Sequence, residues 1–141
     1  MKKMMTNKEM VEAVNRIVAM QEREDEVIKM GGQKLFGNKT KITYAIRKNK
    51  EKLLSLLKPY NEEREALLKE CNEEEAQKNR SVKIKKDCRE AYDEGLKELL
   101  EIEVEVNIHM IQFEEIEGLE LSTNDMETID FMLTAPEGFD E

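Results

Sequence analysis

The chain has 141 residues, of which 39% are hydrophobic and 39% charged, and it carries a formal net charge of −9. This length predicts a single domain spanning residues 1–141 around a thin core. No stretch reaches the ~20 apolar residues of a membrane span, and no apolar signal-peptide core follows Met1–Met5, so we expect a cytoplasmic protein with no membrane partner.

The charges divide the chain into two unlike parts. Residues 1–97 hold all 23 Lys and Arg with 18 of the 32 acids, whereas residues 98–141 hold 14 acids and no base. The two parts therefore carry net charges of +5 and −14. Such a division indicates either that the parts neutralise each other across the fold or that one of them meets a partner.

The first predicted element is an amphipathic helix. Thr6 and Glu9 form a capping-box pattern, and Met10 and Val14 begin an apolar stripe at helical spacing. Because glycine commonly follows a helix C-terminus, we expect this helix to end at Gly31-Gly32.

The longest helical pattern covers residues 41–76, and Pro59 predicts a kink or a break near Lys58. Asn49 falls on the apolar seam of this pattern, where a polar residue often fixes register or oligomer state. We therefore expect a homo-oligomer held together along this seam. The candidate seam residues are Ile42, Ile46, Asn49, Leu53 and Leu56.

A change of period marks the clearest strand. Apolar and polar residues alternate over about residues 101–112, which predicts a strand with one apolar face. A strand needs a partner for its backbone groups. The candidate partners are residues 33–36, 40–44 or 82–85, or the same strand of a second subunit.

These elements predict a mainly helical α+β fold. Its helical part, a long helical hairpin or coiled-coil-like pair, covers about residues 6–100, and a small sheet with one clear strand follows. A closing helix, opened by Ser122 and Thr123, completes residues 101–134. Residues 135–141 are interpreted as a loose acidic tail.

The cysteines and the single histidine give little indication of catalysis. A disulfide between Cys71 and Cys88 is geometrically possible, but a cytoplasmic location favours free thiols. His109 shares the polar side of the predicted strand with alternating glutamates, as a solvated surface histidine would. No phosphate-loop, zinc-protease or serine-hydrolase motif occurs. We expect no enzymatic activity, no metal and no cofactor.

Two basic clusters give the better functional indication. Residues 34–58 hold eight bases and one acid, and residues 78–89 hold six bases and one acid. Their functional interpretation is an anion site for a nucleotide, a nucleic acid or an acidic protein, and their alternative interpretation is that they face residues 98–141. An aromatic residue among them is able to stack on a base. The candidate anion site consists of Lys39, Lys41, Tyr44, Arg47 and Lys48.

Four stretches carry a resemblance that spans most of the chain. They are 41–49 (KITYAIRKN), 60–64 (YNEER), 98–108 (ELLEIEVEVNI) and 129–133 (IDFML). In texture and order they resemble small uncharacterised proteins of phages and prophages of Gram-positive bacteria. The resemblance implies a phage origin and a role in the cytoplasm of an infected bacterial cell.

The basic cluster and the resemblance together lead to one functional expectation. We expect a non-enzymatic phage accessory protein that binds and neutralises a host factor, either a defence protein or an anionic nucleotide signal. The first alternative is a structural or assembly component of the phage particle that acts through helical oligomerisation. The second is a nucleic-acid-binding protein, which the net charge of −9 disfavours.

Overall fold

The computed structural model describes residues 1–71 and 88–135. It confirms the mainly helical α+β fold. The predicted strand at 82–85 and the tail after Ala135 lie outside the described residues, so those two predictions stay untested. The elements in chain order are β1 (Lys2–Thr6), α1 (Asn7–Lys29), α2 (Thr40–Leu56), α3 (Lys58–Cys71), α4 (Arg89–Glu101), β2 (Glu103–Asn107), a 3-10 turn (Phe113–Ile116), α5 (Thr123–Ile129) and a 3-10 turn (Asp130–Met132).

Helix α1 begins at the predicted capping box. The Thr6 hydroxyl accepts the Glu9 N–H at 3.0 Å, and the Glu9 carboxylate accepts the Thr6 N–H at 2.9 Å. The helix ends just before Gly31, whose φ of +84° is a left-handed conformation that glycine adopts without a steric cost. Both ends therefore follow from local chemistry.

The predicted break near Lys58 is also present. Helices α2 and α3 are separated by the single buried residue Leu57. Pro59 then lies in the first turn of α3, where its missing N–H would have no helical partner in any case. The proline thus ends one helix and starts the next.

The partner of the amphipathic strand is β1, which was not among the predicted candidate partners. β2 pairs antiparallel with β1, in a register that runs from Lys2↔Asn107 to Thr6↔Glu103. Among the described candidates, neither residues 33–36 nor residues 40–44 form a strand. The sheet is therefore formed within the subunit and joins the start of the described chain to the segment after α4.

The strand itself is shorter than the predicted 101–112, because both ends of that range have other partners. Glu101 still belongs to helix α4, and β2 ends at Asn107. Beyond it, the backbone of His109 bonds to the side chain of Asn49, and the Ile111 N–H donates to the Met132 carbonyl at 2.6 Å. The Ile108 N–H still donates to the Met1 carbonyl at 2.8 Å, and beyond Ile108 the sequence alternation continues without pairing to β1.

The apolar stripe of α2, which was predicted as an oligomer seam, lies inside the subunit. Four of its five residues are at most 4% exposed and belong to one core cluster with residues of α1, β2 and the closing segment. The fifth is partly buried against the same cluster. A stripe that is already covered by its own chain leaves no surface for a second subunit. The residues concerned are Ile42, Ile46, Asn49, Leu53 and, partly buried, Leu56.

The cysteines form a disulfide, contrary to the expectation of free thiols. Cys71 ends α3 and Cys88 precedes α4, with their Cα atoms 5.5 Å apart. The two helices also approach closely elsewhere, since a Cβ added at Gly95 would lie 3.2 Å from the Leu67 side chain. Free thiols were expected from a cytoplasmic location alone. The packing of α3 on α4 places the two cysteines within bonding distance.

We predict that Asn49→Ala lowers the free energy of unfolding by about 2–4 kcal/mol, because it leaves two backbone groups of His109 unpaired. Urea denaturation measures this loss. Asn61→Ala, at an exposed position of α3, is the matched control and should change stability by less than about 0.5 kcal/mol. Since Asn49 lies inside the subunit, the midpoint of its variant should not depend on protein concentration. A concentration-dependent midpoint would restore the oligomer seam.

We predict that reduction of the Cys71–Cys88 disulfide lowers the free energy of unfolding by about 3 kcal/mol, because the bond closes a loop of 17 residues in the unfolded chain. Denaturation with and without a phosphine reductant measures the difference. The Cys71→Ser/Cys88→Ser variant should match the reduced protein and not respond to reductant. Equal stability of the oxidised and reduced wild type would contradict this prediction.

Candidate functional site

The candidate anion site lies on the outer face of α2. The buried stripe includes Ala45, Ile46 and Asn49, and the helical period then turns Tyr44, Arg47 and Lys48 towards solvent. Residues three and four apart on a helix are surface neighbours. The fold therefore groups one aromatic ring with two cations one turn further along.

An aromatic pair forms the centre of this face. Tyr44 is 53% exposed as a residue, and the centroid of its ring lies 5.5 Å from that of His109 with an interplanar angle of 78°. This edge-to-face arrangement is favourable for two aromatic rings. His109 is exposed, as predicted, but its position beside Tyr44 was not foreseen because the two residues are far apart in sequence.

The backbone of His109 is held in place by the buried side-chain amide of Asn49. The Asn49 side chain donates to the His109 carbonyl and accepts from the His109 N–H, each at 2.8 Å. Asn49 lies one turn of α2 beyond Tyr44 and Ala45, on the buried side. The same helix therefore supplies one ring of the aromatic pair and fixes the backbone that carries the other.

Two clefts flank Tyr44. The first, here called the Phe36 cleft, is an open space of about 380 Å³ between the end of α1, the loop before α2 and α2 itself. Its floor includes Phe36, and its rim includes Arg47 and Glu24. One Glu24 carboxylate oxygen already accepts the Leu35 N–H at 2.7 Å.

The second, here called the tyrosine cleft, is also about 380 Å³ and lies between the start of α2 and residues 109–115. It combines aromatic rings with side chains that carry hydroxyl, ammonium, amide and carboxylate groups. A volume above 300 Å³ is in the range of small-molecule sites. Its lining residues are Thr40, Lys41, Tyr44, His109, Met110, Gln112 and Glu115.

The cations of the candidate site fall into two groups. Lys39 donates to the Glu115 carbonyl at 2.5 Å, and Lys41 lies 3.9 Å from the Glu115 carboxylate. Within the described part of the chain, Arg47 and Lys48 have no carboxylate within salt-bridge distance. The positive charge available to a ligand is therefore greatest at Arg47 and Lys48.

The basic and acidic parts of the chain do meet within one subunit. Besides the Lys41–Glu115 contact, Lys2 lies 3.6 Å from Glu105, and Arg23 lies 3.3 Å from Asp125. These contacts are exposed or partly exposed, and such pairs contribute about 0–1 kcal/mol each. Self-neutralisation thus accounts for some of the bases and leaves others for a partner.

The residues that sequence reasoning missed come from the segment after β2. Gln112 and Glu115 line the tyrosine cleft although the alternating pattern had placed residue 112 in a strand. No spacing in the sequence links these residues to α2. In residues 1–71 and 88–135, no group of three or more His, Cys, Asp or Glu is arranged to hold a metal ion.

Comparisons with protein-family models, with curated proteins and with solved structures find no match. Across the described segments, no helix is long and apolar enough to span a bilayer. The geometry of the α2 face is therefore the observation that bears most directly on function.

Proposed function

We propose that this chain is a non-enzymatic binding protein that captures an anionic group of its partner on the outer face of α2. The observation that carries the proposal is the combination of a half-exposed tyrosine with two cations one turn away that have no carboxylate partner in the described part of the chain. Arg47 and Lys48 supply the charge, and Tyr44 supplies an apolar surface beside it.

Such a combination suits a partner that is both charged and planar or apolar. An arginine binds phosphate and carboxylate groups through paired N–H donors, and a lysine adds a mobile point charge. The Tyr44 ring, supported at its edge by His109, offers a contact that excludes water from one side of the ion pair. Contacts of this kind gain strength from partial desolvation.

The biological setting of the proposal comes from the resemblance to phage and prophage proteins. In that setting the chain is a phage accessory protein that binds and neutralises a host factor in the cytoplasm of an infected bacterium. A defence protein with an acidic patch and an anionic nucleotide signal would both present the required anion.

An assembly role through the α2 seam receives less support from the geometry. Four of the five seam residues are buried in the core of the subunit, so the seam itself is not free to contact another copy. General nucleic-acid binding is opposed by the net charge of −14 on residues 98–141, one of whose acids, Glu115, lies beside the basic face at Lys41. Neutralisation of a host factor through the α2 face therefore stands first.

We predict that Arg47→Glu/Lys48→Glu abolishes retention of the bound factor, because it replaces the two available cations with anions. The tagged protein would be incubated with an extract of a Gram-positive host, repurified, and weighed by native mass spectrometry. The wild type should carry either a few hundred daltons of extra mass or a host protein, and the double variant should carry neither.

Lys8→Glu/Lys97→Glu provides a control with the same change in net charge at two exposed sites on other helices. This control should retain the factor at the wild-type level, and circular dichroism should show all three proteins folded. Equal retention by the wild type and the α2 double variant, or no retained mass on the wild type, would refute the proposal.

A further inference from the structure

We infer that the ligand of the α2 face is a guanine nucleotide, with its base in the tyrosine cleft and its phosphates on Arg47 and Lys48. The inference rests on the proposed function, and it names the chemical class of the partner. It follows from the order of three groups along this face: an acceptor for the edge of the base (Glu115), an aromatic platform for the base (Tyr44 with His109), and a clamp for the phosphates (Arg47 with Lys48).

The base platform is the aromatic pair. Tyr44 and His109 both line the tyrosine cleft, with their ring centroids 5.5 Å apart and their planes at 78°. An edge-to-face pair leaves ring surface exposed on the tyrosine, which is 53% exposed as a residue. Bases stack on such surfaces, and each stacked base contributes about 1–3 kcal/mol to binding. The apolar side chain of Met110 lines the same cleft.

The acceptor for the base edge is Glu115. Glu115 lines the tyrosine cleft, and its side chain is 30% exposed. The contact with Lys41 is long, at 3.9 Å, and that lysine side chain is 88% exposed, so the carboxylate keeps acceptor capacity for a ligand. A carboxylate has two acceptor oxygens side by side.

Guanine is the base whose edge matches this acceptor. Its N1–H and its N2 amino group are adjacent donors, which two carboxylate oxygens accept together. Adenine presents an acceptor at N1 and would face the carboxylate with a lone pair. The Gln112 amide also lines the cleft, and its oxygen accepts the Thr134 hydroxyl at 3.4 Å, which leaves the amide N–H groups for the guanine O6.

The phosphate clamp lies on the opposite side of the tyrosine. Arg47 and Lys48 follow Tyr44 by three and four residues, so they stand one helical turn away on the same face. Glu115 lies at the other end, across the tyrosine cleft. A nucleotide laid along α2 with its donor edge at Glu115 carries its phosphates towards Arg47 and Lys48, which lie outside the lining of the tyrosine cleft and, unlike Lys41, have no carboxylate partner in the described residues.

Isothermal titration with GDP and ADP tests the inference on the full chain. The wild type should bind GDP at least tenfold tighter than ADP, and guanosine without phosphate should bind more weakly than GDP. Glu115→Gln, which keeps the shape but replaces one acceptor oxygen by a donor, should weaken GDP about tenfold and leave ADP unchanged. Tyr44→Leu should weaken both nucleotides, and Lys8→Glu/Lys97→Glu should weaken neither.

Each outcome bears on the inference separately from the proposed function. Equal affinity for GDP and ADP, no GDP binding with a Kd below about 1 mM, or a Glu115→Gln variant with wild-type selectivity would overturn the guanine assignment. If the wild type still retains a host factor that Arg47→Glu/Lys48→Glu loses, the proposed function survives that failure. If the double variant keeps the factor as well, both fail.

Discussion

The buried amide of Asn49 is the constraint on which the rest of the arrangement depends. It is fully buried, yet it exchanges two hydrogen bonds of 2.8 Å with the backbone of His109, in the way a neighbouring strand would. A buried amide must be paired, because an unpaired polar group inside a core costs about 1–3 kcal/mol. The hydrogen bonds of the Asn49 amide and of the His109 backbone therefore fix the position of helix α2 relative to the segment after β2.

This constraint extends to the site. Once His109 is fixed against α2, its ring meets Tyr44 and the following residues turn away from the sheet. The Ile111 N–H then bonds to the Met132 carbonyl, and the Thr134 N–H bonds to the Ile111 carbonyl at 2.9 Å. The tyrosine cleft is thus bounded by backbone that is held on both sides, which favours a preformed site over one assembled by the ligand.

The unequal charges of the chain are partly matched where its acidic and basic parts meet. Residues 98–141 bring 14 acids to a body with a net charge of +5, and the contacts at Glu105, Glu115 and Asp125 show where some of these acids meet bases. Glu115 faces the first turn of α2, so the cations there are partly matched while those one turn later are not. The cations near the start of α2 are partly neutralised because Glu115 lies beside them, whereas Arg47 and Lys48 lie one turn beyond its reach.

Local features of the fold could be predicted from the sequence, and long-range ones could not. The capping box at Thr6, the break before Pro59 and the alternation in β2 depend on neighbouring residues, and all three are present. β1 was missed because its sequence, KKMMT, has no aromatic residue and only one β-branched residue, Thr6, whereas strands are enriched in both kinds.

The disulfide was disfavoured because a compartment argument says nothing of how α3 packs on α4. For the candidate site, the helical period was enough to group Tyr44, Arg47 and Lys48 on one face. It gave no means of finding His109, Gln112 or Glu115 beside them, since these residues reach the cleft through tertiary contacts.

Asn49 shows most clearly how a correct physical rule can lead to a wrong partner. A polar residue on an apolar seam was expected to fix the register of an oligomer, and it does fix a register, but that of α2 against its own chain. The spacing of apolar residues on a helix shows that one face is buried, but it does not show whether the same chain or a second subunit buries it. Here the covering segment also carries His109 and Glu115, so the buried residue that fixes α2 against its own chain also positions the segment that lines the tyrosine cleft.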